Sequence, residues 1–362
     1  MLSPRKALQQ VPAYHPPLAG RAGLRLDFNE NTAGCSPRVL ERLQRITAED
    51  LARYPERKRI ERRVAEFFGV AAEELLLTNG VDEAIHLLCQ TFLDAGDEAL
   101  IVEPTYSMYR IYMTAAGASV VSVPTDIDFQ FPAEELRSRI TDRTRLIAIA
   151  NPNNPTGNLA TADELLKIGR SAPDAAVLID EAYSEFSGQS ILRSRGEAPN
   201  MFVARTFSKA YGLAGLRIGV LIGDRARMQT LRRISSPYNV NAIALACLPQ
   251  ALADQEYIRR YVSEVCESRA RLESVLRETG IRFWPSQANF VLMRVGATAD
   301  DAGSFVEEMR RRGILVRDRS GDPECVGCVR ITLGTREHTD RLLAALPQAL
   351  AAARSTREAT LP

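Results

Sequence analysis

The sequence predicts an α/β protein built on a mostly parallel sheet with helices on both faces. Three observations carry this. Short apolar runs that are continuous rather than alternating recur between residues 98 and 223. Helix-length segments separate several of them. Polar clusters stand directly after the runs, where ligands gather in sheets of this kind.

The elements follow in order. An irregular, proline-bearing arm, MLSPRKALQQVPAYHPP, leads to Ser36-Pro37, which reads as an N-cap with a first-turn proline opening a helix through VLERLQRI. A second helix fits RKRIERRVAEFFG, with Gly69 as its stop. Strands are expected at EALIVE near 98, ASVVSV near 118, RLIAIA near 145, AAVLID near 175, MFVAR near 201 and LRIGVLIG near 216. Helices fit VDEAIHLLCQTFL, the stretch after Tyr106, and ADELLKIGR. Near 235 the turn-rich SSPYNVNA marks a junction. Beyond it lie long helical patterns, the short strands IRFWP, NFVLMRV, GILVRD and GCVRITLG, and helices over 300–312 and 336–353, a small α+β unit. The expected division is an arm over 1–34, a large domain over 35–235 and a small domain over 236–362. The tail ARSTREATLP reads as disordered.

Composition narrows the function. With 46 basic and 45 acidic residues the net charge is +1, which removes the electrostatic footprint of a nucleic-acid or membrane binder. The first residues hold no apolar stretch long enough for a signal-peptide core and no run approaches the length of a membrane span, so a cytoplasmic protein is expected. The six cysteines suit a reducing compartment; only Cys325 and Cys328 have metal-like spacing, and nothing completes four ligands around them. His15, His86 and His338 are too scattered to form a cluster, and His86 reads as a partly buried structural residue.

Chemistry is concentrated after the strands. In VARTFSKAYGLAGLRIG, Lys209 follows an apolar strand beside Ser208, with Arg217 downstream. A surface charge is the ordinary fate of lysine. A partly desolvated, positively charged neighbourhood would instead lower its pKa and favour the neutral amine of a Schiff-base nucleophile. Ser208 and Arg217 suit a phosphate. In AAVLIDEAYSEF, Asp180 is either a helix cap or a carboxylate set against a pyridinium nitrogen, with Tyr183 placed to donate to a ring hydroxyl. The segment IAIANPNNPTGN ends a strand in a knot of amides and prolines; Pro152 and Pro155 would display Asn154 toward the same ring hydroxyl. The helix after Gly80 would aim the N–H groups of Val81 and Asp82 at an anion. Tyr106 is either a core tyrosine or a ring stacked on an aromatic cofactor. Arg317 and Arg330 each close an apolar run, and a guanidinium fork matches carboxylate or phosphate oxygens; the alternative is two exposed arginines.

These pieces, with LDFNEN, RYPER, TNGVDEAI, EPTYSMY, NPNNPTG, LIDEAYSEF, TFSKAYGLAGLRIG, PYNVN, SQANFVLMR and GILVRD…GCVRITLGTRE, resemble the pyridoxal 5′-phosphate-dependent class I/II (fold type I) aminotransferases. Within them the likeness is to histidinol-phosphate aminotransferases along nearly the whole chain. The resemblance implies a large domain with a mostly parallel seven-stranded sheet between helices and a smaller α+β C-terminal domain. It implies Lys209 as the cofactor-bearing lysine and proton shuttle, Asp180 against the pyridine nitrogen, and Asn154 and Tyr183 on the ring oxygen. Val81, Asp82, Thr206, Ser208 and Arg217 would surround the phosphate, with Tyr106 stacked on the ring. Tyr54 of RYPER would reach the phosphate of the neighbouring subunit in a homodimer with shared active sites. Arg330, Arg317 and Tyr14 would meet the substrate, an amino donor or a 2-oxo acid acceptor. The implied reaction is transamination of histidinol phosphate with 2-oxoglutarate. An aromatic amino-acid aminotransferase, a decarboxylase of a phosphorylated amino acid and a non-catalytic binder are the alternatives. The arm departs from the pattern at Thr32 and Cys35, and Val81 is bulkier than the residue usual at its place.

Overall fold

A computed structural model describes residues 2–11, 13 and 20–359. Tyr14 and the last three residues of the tail lie outside that set.

The strands of the large sheet are β2 (Leu75–Thr78), β3 (Glu98–Glu103), β4 (Ser119–Pro124), β5 (Thr144–Ala150), β6 (Ala176–Asp180), β7 (Met201–Thr206) and β8 (Gly219–Ile222). They follow β1 (Leu24–Arg25), which belongs elsewhere. The order is β2-β8-β7-β6-β5-β3-β4. Strand β8 runs against both its neighbours, and every other pair in the sheet is parallel. The runs are continuous because both faces are covered. Ile147, Ile149, Val177 and Ile179 face one core, while Leu146, Ala148, Ala176 and Leu178 face the other. Each fully buried Leu or Ile contributes roughly 2 kcal/mol, so a one-residue slip would gain nothing on either face but would break the alignment of strand ends.

Around the sheet lie α1 (Pro37–Gln44), α2 (Ala48–Ala52), α3 (Arg57–Phe68), α4 (Gly80–Phe92), α5 (Met108–Ala116), α6 (Ala133–Ser138), α7 (Ala162–Ser171), α8 (Ser184–Ser187) and α9 (Arg225–Ile234). Helix α1 starts as expected, with the Ser36 side chain accepting from the Arg38 N–H and Pro37 in the first turn. Gly69 ends α3 in the left-handed conformation. Then come α10 (Ala242–Ala253), which packs on α1 and α3, and the long α11 (Gln255–Glu278).

The second sheet is antiparallel, in the order β12-β13-β10-β9, from β9 (Phe283–Trp284), β10 (Phe290–Arg294), β12 (Arg317–Asp318) and β13 (Cys328–Thr332). Val291, Met293, Val329 and Ile331 join the larger core, against which α12 (Ala299–Arg311) and α13 (Arg336–Ala359) also pack. The opposite face carries Phe290, Leu292, Arg330 and Thr332 and looks toward the large sheet, where the Phe290 ring meets Tyr183 edge-on at 5.1 Å. Strand β11 (Ile314–Leu315) pairs in parallel with β1, and Thr332 N–H donates to Leu26 C=O at 2.9 Å. The arm is thereby tied to the C-terminal unit.

Four expectations differ from the structure. β8 begins at Gly219 rather than near 216, because Arg217 adopts φ +50° and leaves the ladder. β2 was not expected; four residues behind a short 3-10 turn carry too little pattern to read. His86 is exposed and stacks on Tyr112 at 5.1 Å, since its position on α4 points away from the sheet. The tail is helical through Ala359, because alanine, arginine and glutamate propagate a helix already packed upstream.

Candidate active site

The carboxyl ends of β5, β6 and β7 are in register, Ala150 beside Asp180 and Asp180 beside Ala204, so the loops after them open onto one cleft. Three residues past β7, the half-buried Lys209 amine donates to the Phe28 carbonyl of the arm at 2.9 Å. Burial, then the positive charge of Arg330, pulls its pKa from 10.5 to about 8. An amine so placed is neutral roughly one time in ten at pH 7, far more often than an ordinary lysine, and can act as nucleophile and base.

Asp180 is buried at the end of β6. Its Oδ2 accepts from the Tyr109 hydroxyl at 2.6 Å and its Oδ1 from the Ala182 N–H at 3.0 Å. Burial pushes its pKa up to about 6 against those two bonds, and no cation pairs with it among the described residues. A buried carboxylate held this way is complete only beside a proton-bearing ring nitrogen or another cation. Tyr109 was missed by sequence reasoning; the signal available was the second tyrosine of EPTYSMY, which looks like ordinary core.

Opposite, the Tyr183 hydroxyl accepts from Asn29 Nδ2 at 3.0 Å, leaving its own proton to donate. Asn29 was also missed, although LDFNEN was conspicuous. Asn151 closes the loop after β5 on Ala160, and Asn153 bonds Pro104 C=O at 2.9 Å and the Thr105 hydroxyl at 2.8 Å. Gln287 N–H donates to Gly157 C=O at 2.8 Å, anchoring the loop to the C-terminal unit. With these amides spent on structure, Asn154 turns its Oδ1 to Arg330, and its Nδ2 is the donor left for the cleft. Asn158 donates to Asp128 C=O at 3.2 Å, so the knot of amides and prolines is a loop in which three asparagines clamp and the fourth is displayed.

A third group gathers at the start of α4. Arg217 pairs with Asp82 at 3.1 Å, and the Tyr106 hydroxyl donates to the same carboxylate at 2.9 Å. Gly80 has φ +74°, and a Cβ there would lie 2.7 Å from the Arg217 guanidinium, so glycine lets the cation lie against the helix N-terminus. Thr206 and Ser208 are buried nearby in sequence, the Ser208 N–H donating to Thr206 Oγ1 at 3.1 Å. Helix N–H groups of Val81 and Asp82, a guanidinium and two hydroxyls make a donor set for a phosphate.

On the opposing sheet Arg330 is only 5% exposed; it donates to Asp27 C=O at 2.7 Å and to Asn154, and lies 5.3 Å from the Phe290 ring centre. Burial, then Arg319, lowers its pKa to about 10. Arg317, its cross-strand neighbour, lies 5.3 Å over the Phe28 ring and lines a cleft of about 200 Å³ with Arg21 and Asp27. Tyr54 stands away from this group, 77% exposed and stacked on Tyr238 at 4.1 Å.

The residues present fit pyridoxal phosphate: a half-buried amine, a buried carboxylate lacking a cation, a displayed amide and phenol, and a phosphate donor set.

Comparison with known proteins gives three findings. The family model for aminotransferase class I and II matches residues 21–346. A histidinol-phosphate aminotransferase of Paracoccus denitrificans is 36% identical over 365 residues, covering 97% of this chain and 96% of its own length. The crystal structure of histidinol-phosphate aminotransferase from Sinorhizobium meliloti in complex with pyridoxal-5′-phosphate superposes with a TM-score of 0.87 at 26% identity, over 96% of this chain and 97% of that one.

Proposed function

Because the chain belongs to the class I and II aminotransferases, we propose that it moves the amino group of histidinol phosphate to 2-oxoglutarate, giving imidazole acetol phosphate and glutamate in histidine biosynthesis. Its architecture is fold type I, and it is a pyridoxal phosphate-dependent aminotransferase. The observation that carries the site reading is the Lys209 amine, half-buried and drawn toward neutrality in the same cleft as a carboxylate that lacks a cation.

When bound, the cofactor supplies an aldehyde that takes up the amino group and a ring that spreads the charge left as the Cα proton departs. Lys209 removes that proton and later returns it, a task suited to an amine with a pKa near 8. Asp180 holds the ring nitrogen, and Tyr109 holds Asp180. Tyr183 and Asn154 donate to the ring oxygen, and Tyr106 covers the ring. Val81, Asp82, Thr206, Ser208 and Arg217 hold the phosphate. Arg330 and Arg317 receive the anionic end of the substrate, and Tyr14, outside the described residues, is assigned near it. In a cytoplasmic homodimer, the exposed Tyr54 completes the partner's phosphate site. No helix among the described residues is long and apolar enough to cross a membrane.

The test mixes the holoenzyme separately with histidinol phosphate, phenylalanine and phosphothreonine, following the cofactor absorbance and identifying products by mass. Fast conversion of histidinol phosphate to imidazole acetol phosphate is expected. Faster conversion of phenylalanine, or carbon dioxide released from phosphothreonine, would overturn the substrate assignment.

A further inference from the structure

The β12–β13 hairpin carries more positive charge toward the cleft than a carboxylate needs. Arg317 pairs across the strands with Arg330, and the ladder continues one step, Arg319 N–H donating to Cys328 C=O at 2.9 Å. Side chains two apart on a strand share a face, as do direct cross-strand neighbours. Arg317, Arg319 and Arg330 therefore stand on one face of the hairpin, the face that carries Phe290 and looks toward Lys209.

The acidic partners do not balance them. Asp322 pairs with Arg319, and Asp27 is engaged by Arg21 at 2.7 Å. Arg330 bonds only a carbonyl and an amide oxygen, and no carboxylate pairs with Arg317 among the described residues. The Nε groups of Arg319 and Arg330 are both buried and have no hydrogen-bond partner among the described residues. Among neighbouring charges Arg319 opposes protonation of Arg330 most strongly, and Asp322 feels all three guanidinium groups. Three cations and one carboxylate leave an excess of two positive charges and two buried N–H donors unused.

We propose that Arg319 is a specificity-determining residue that joins Arg317 and Arg330 in a three-armed cradle for the doubly charged head of a phosphate monoester. The proposal rests on the histidinol-phosphate reading and extends it. A carboxylate brings one negative charge and two oxygens, whereas a phosphate monoester carries about −1.5 to −2 near pH 7 and offers three terminal oxygens. Only the phosphate matches the excess charge and has an oxygen for each arm. Asp322 holds Arg319 in place while the cradle is empty.

The experiment titrates holoenzyme calorimetrically with phenyl phosphate and with benzoate, which share a ring and differ in the anionic head. The wild type is expected to bind phenyl phosphate about tenfold or more tighter than benzoate. In Arg319→Gln that ratio collapses to about threefold or less, through the phosphate arm; Arg319→Lys restores part of it. Asp322→Asn, which frees Arg319, tightens phenyl phosphate. A merely structural role would weaken both ligands alike and leave the ratio standing, which overturns the proposal, as does a wild type without preference. If Arg319→Gln fails to fold, the Lys and Asp322→Asn variants decide by the same ratio. The two readings fail separately. A collapsing ratio in an enzyme that ignores histidinol phosphate leaves the cradle intact and points to another phosphate monoester. An unmoved ratio in an enzyme that converts histidinol phosphate removes Arg319 alone.

Discussion

Along the carboxyl edge of the large sheet Asp180 and Asp82 are each held by two fixed partners, whereas on the facing side of the small sheet Arg319 and Arg330 keep buried Nε groups with no hydrogen-bond partner among the described residues. The first wall is assembled from its own side chains and awaits a single resident group. The second is left electrostatically incomplete. A transaminase binds two different substrates in turn at one place, so the wall that meets them gains from donors that each substrate finishes in its own way. The wall that meets the cofactor gains from being settled beforehand.

Four variants probe that contrast, the most damaging first. Lys209→Ala is expected to lower multiple-turnover transamination by about 10⁴-fold or more, because one amine serves as both nucleophile and base. Retained turnover would detach the chemistry from the settled wall. Arg330→Gln should lower kcat/KM about 100-fold with both amino donors, since it removes a buried guanidinium that Asn154 and Asp27 help to hold. A fall confined to one donor would give the second wall two separate anion sites.

Asp180→Asn tests the settled wall through pH. The folded carboxyl keeps its proton up to about pH 6, against 3.8 when unfolded, so the folded protein binds more protons in that window. Stability of the cofactor-free protein therefore falls by about 3 kcal/mol as pH rises through it, and the cost persists above. Urea unfolding across that range should show the slope in the wild type and its loss in the variant. The mildest change, Tyr109→Phe, removes one hydrogen bond to a carboxylate. Equilibrium dialysis should find cofactor binding weakened about tenfold. No change would mean that the Ala182 N–H suffices.

The two walls also differed in how readily they could be read from sequence. Asp180 closes an apolar strand of the large sheet, Lys209 and Asn154 follow two others within four residues, and strand ends are visible as abrupt changes from apolar to polar. The structure brings these three to one cleft with Tyr183, Tyr106 and Arg217. Tyr109 and Asn29 escaped notice because their roles consist of holding another side chain, and a residue two contacts from the chemistry has no compositional mark. Arg319 lies in a loop whose neighbours RSGDPE suggest only a turn. Its place on the face with Arg330 depends on the hairpin register, which no local pattern reveals. β1 is the extreme case: two residues whose partners lie in β11, close to the other end of the chain.

That last pairing sets an order of events during synthesis. Phe28 C=O, the acceptor for the Lys209 amine, follows a strand that pairs with Ile314 and Leu315, and Leu26 is tied again by Thr332. A ribosome must release those distant residues before the arm can dock. The large sheet can form while the arm is still unattached. A segment made well before its partners is thus among the last to take its place, and a truncated nascent chain would present its lysine without the carbonyl that receives it in the finished protein.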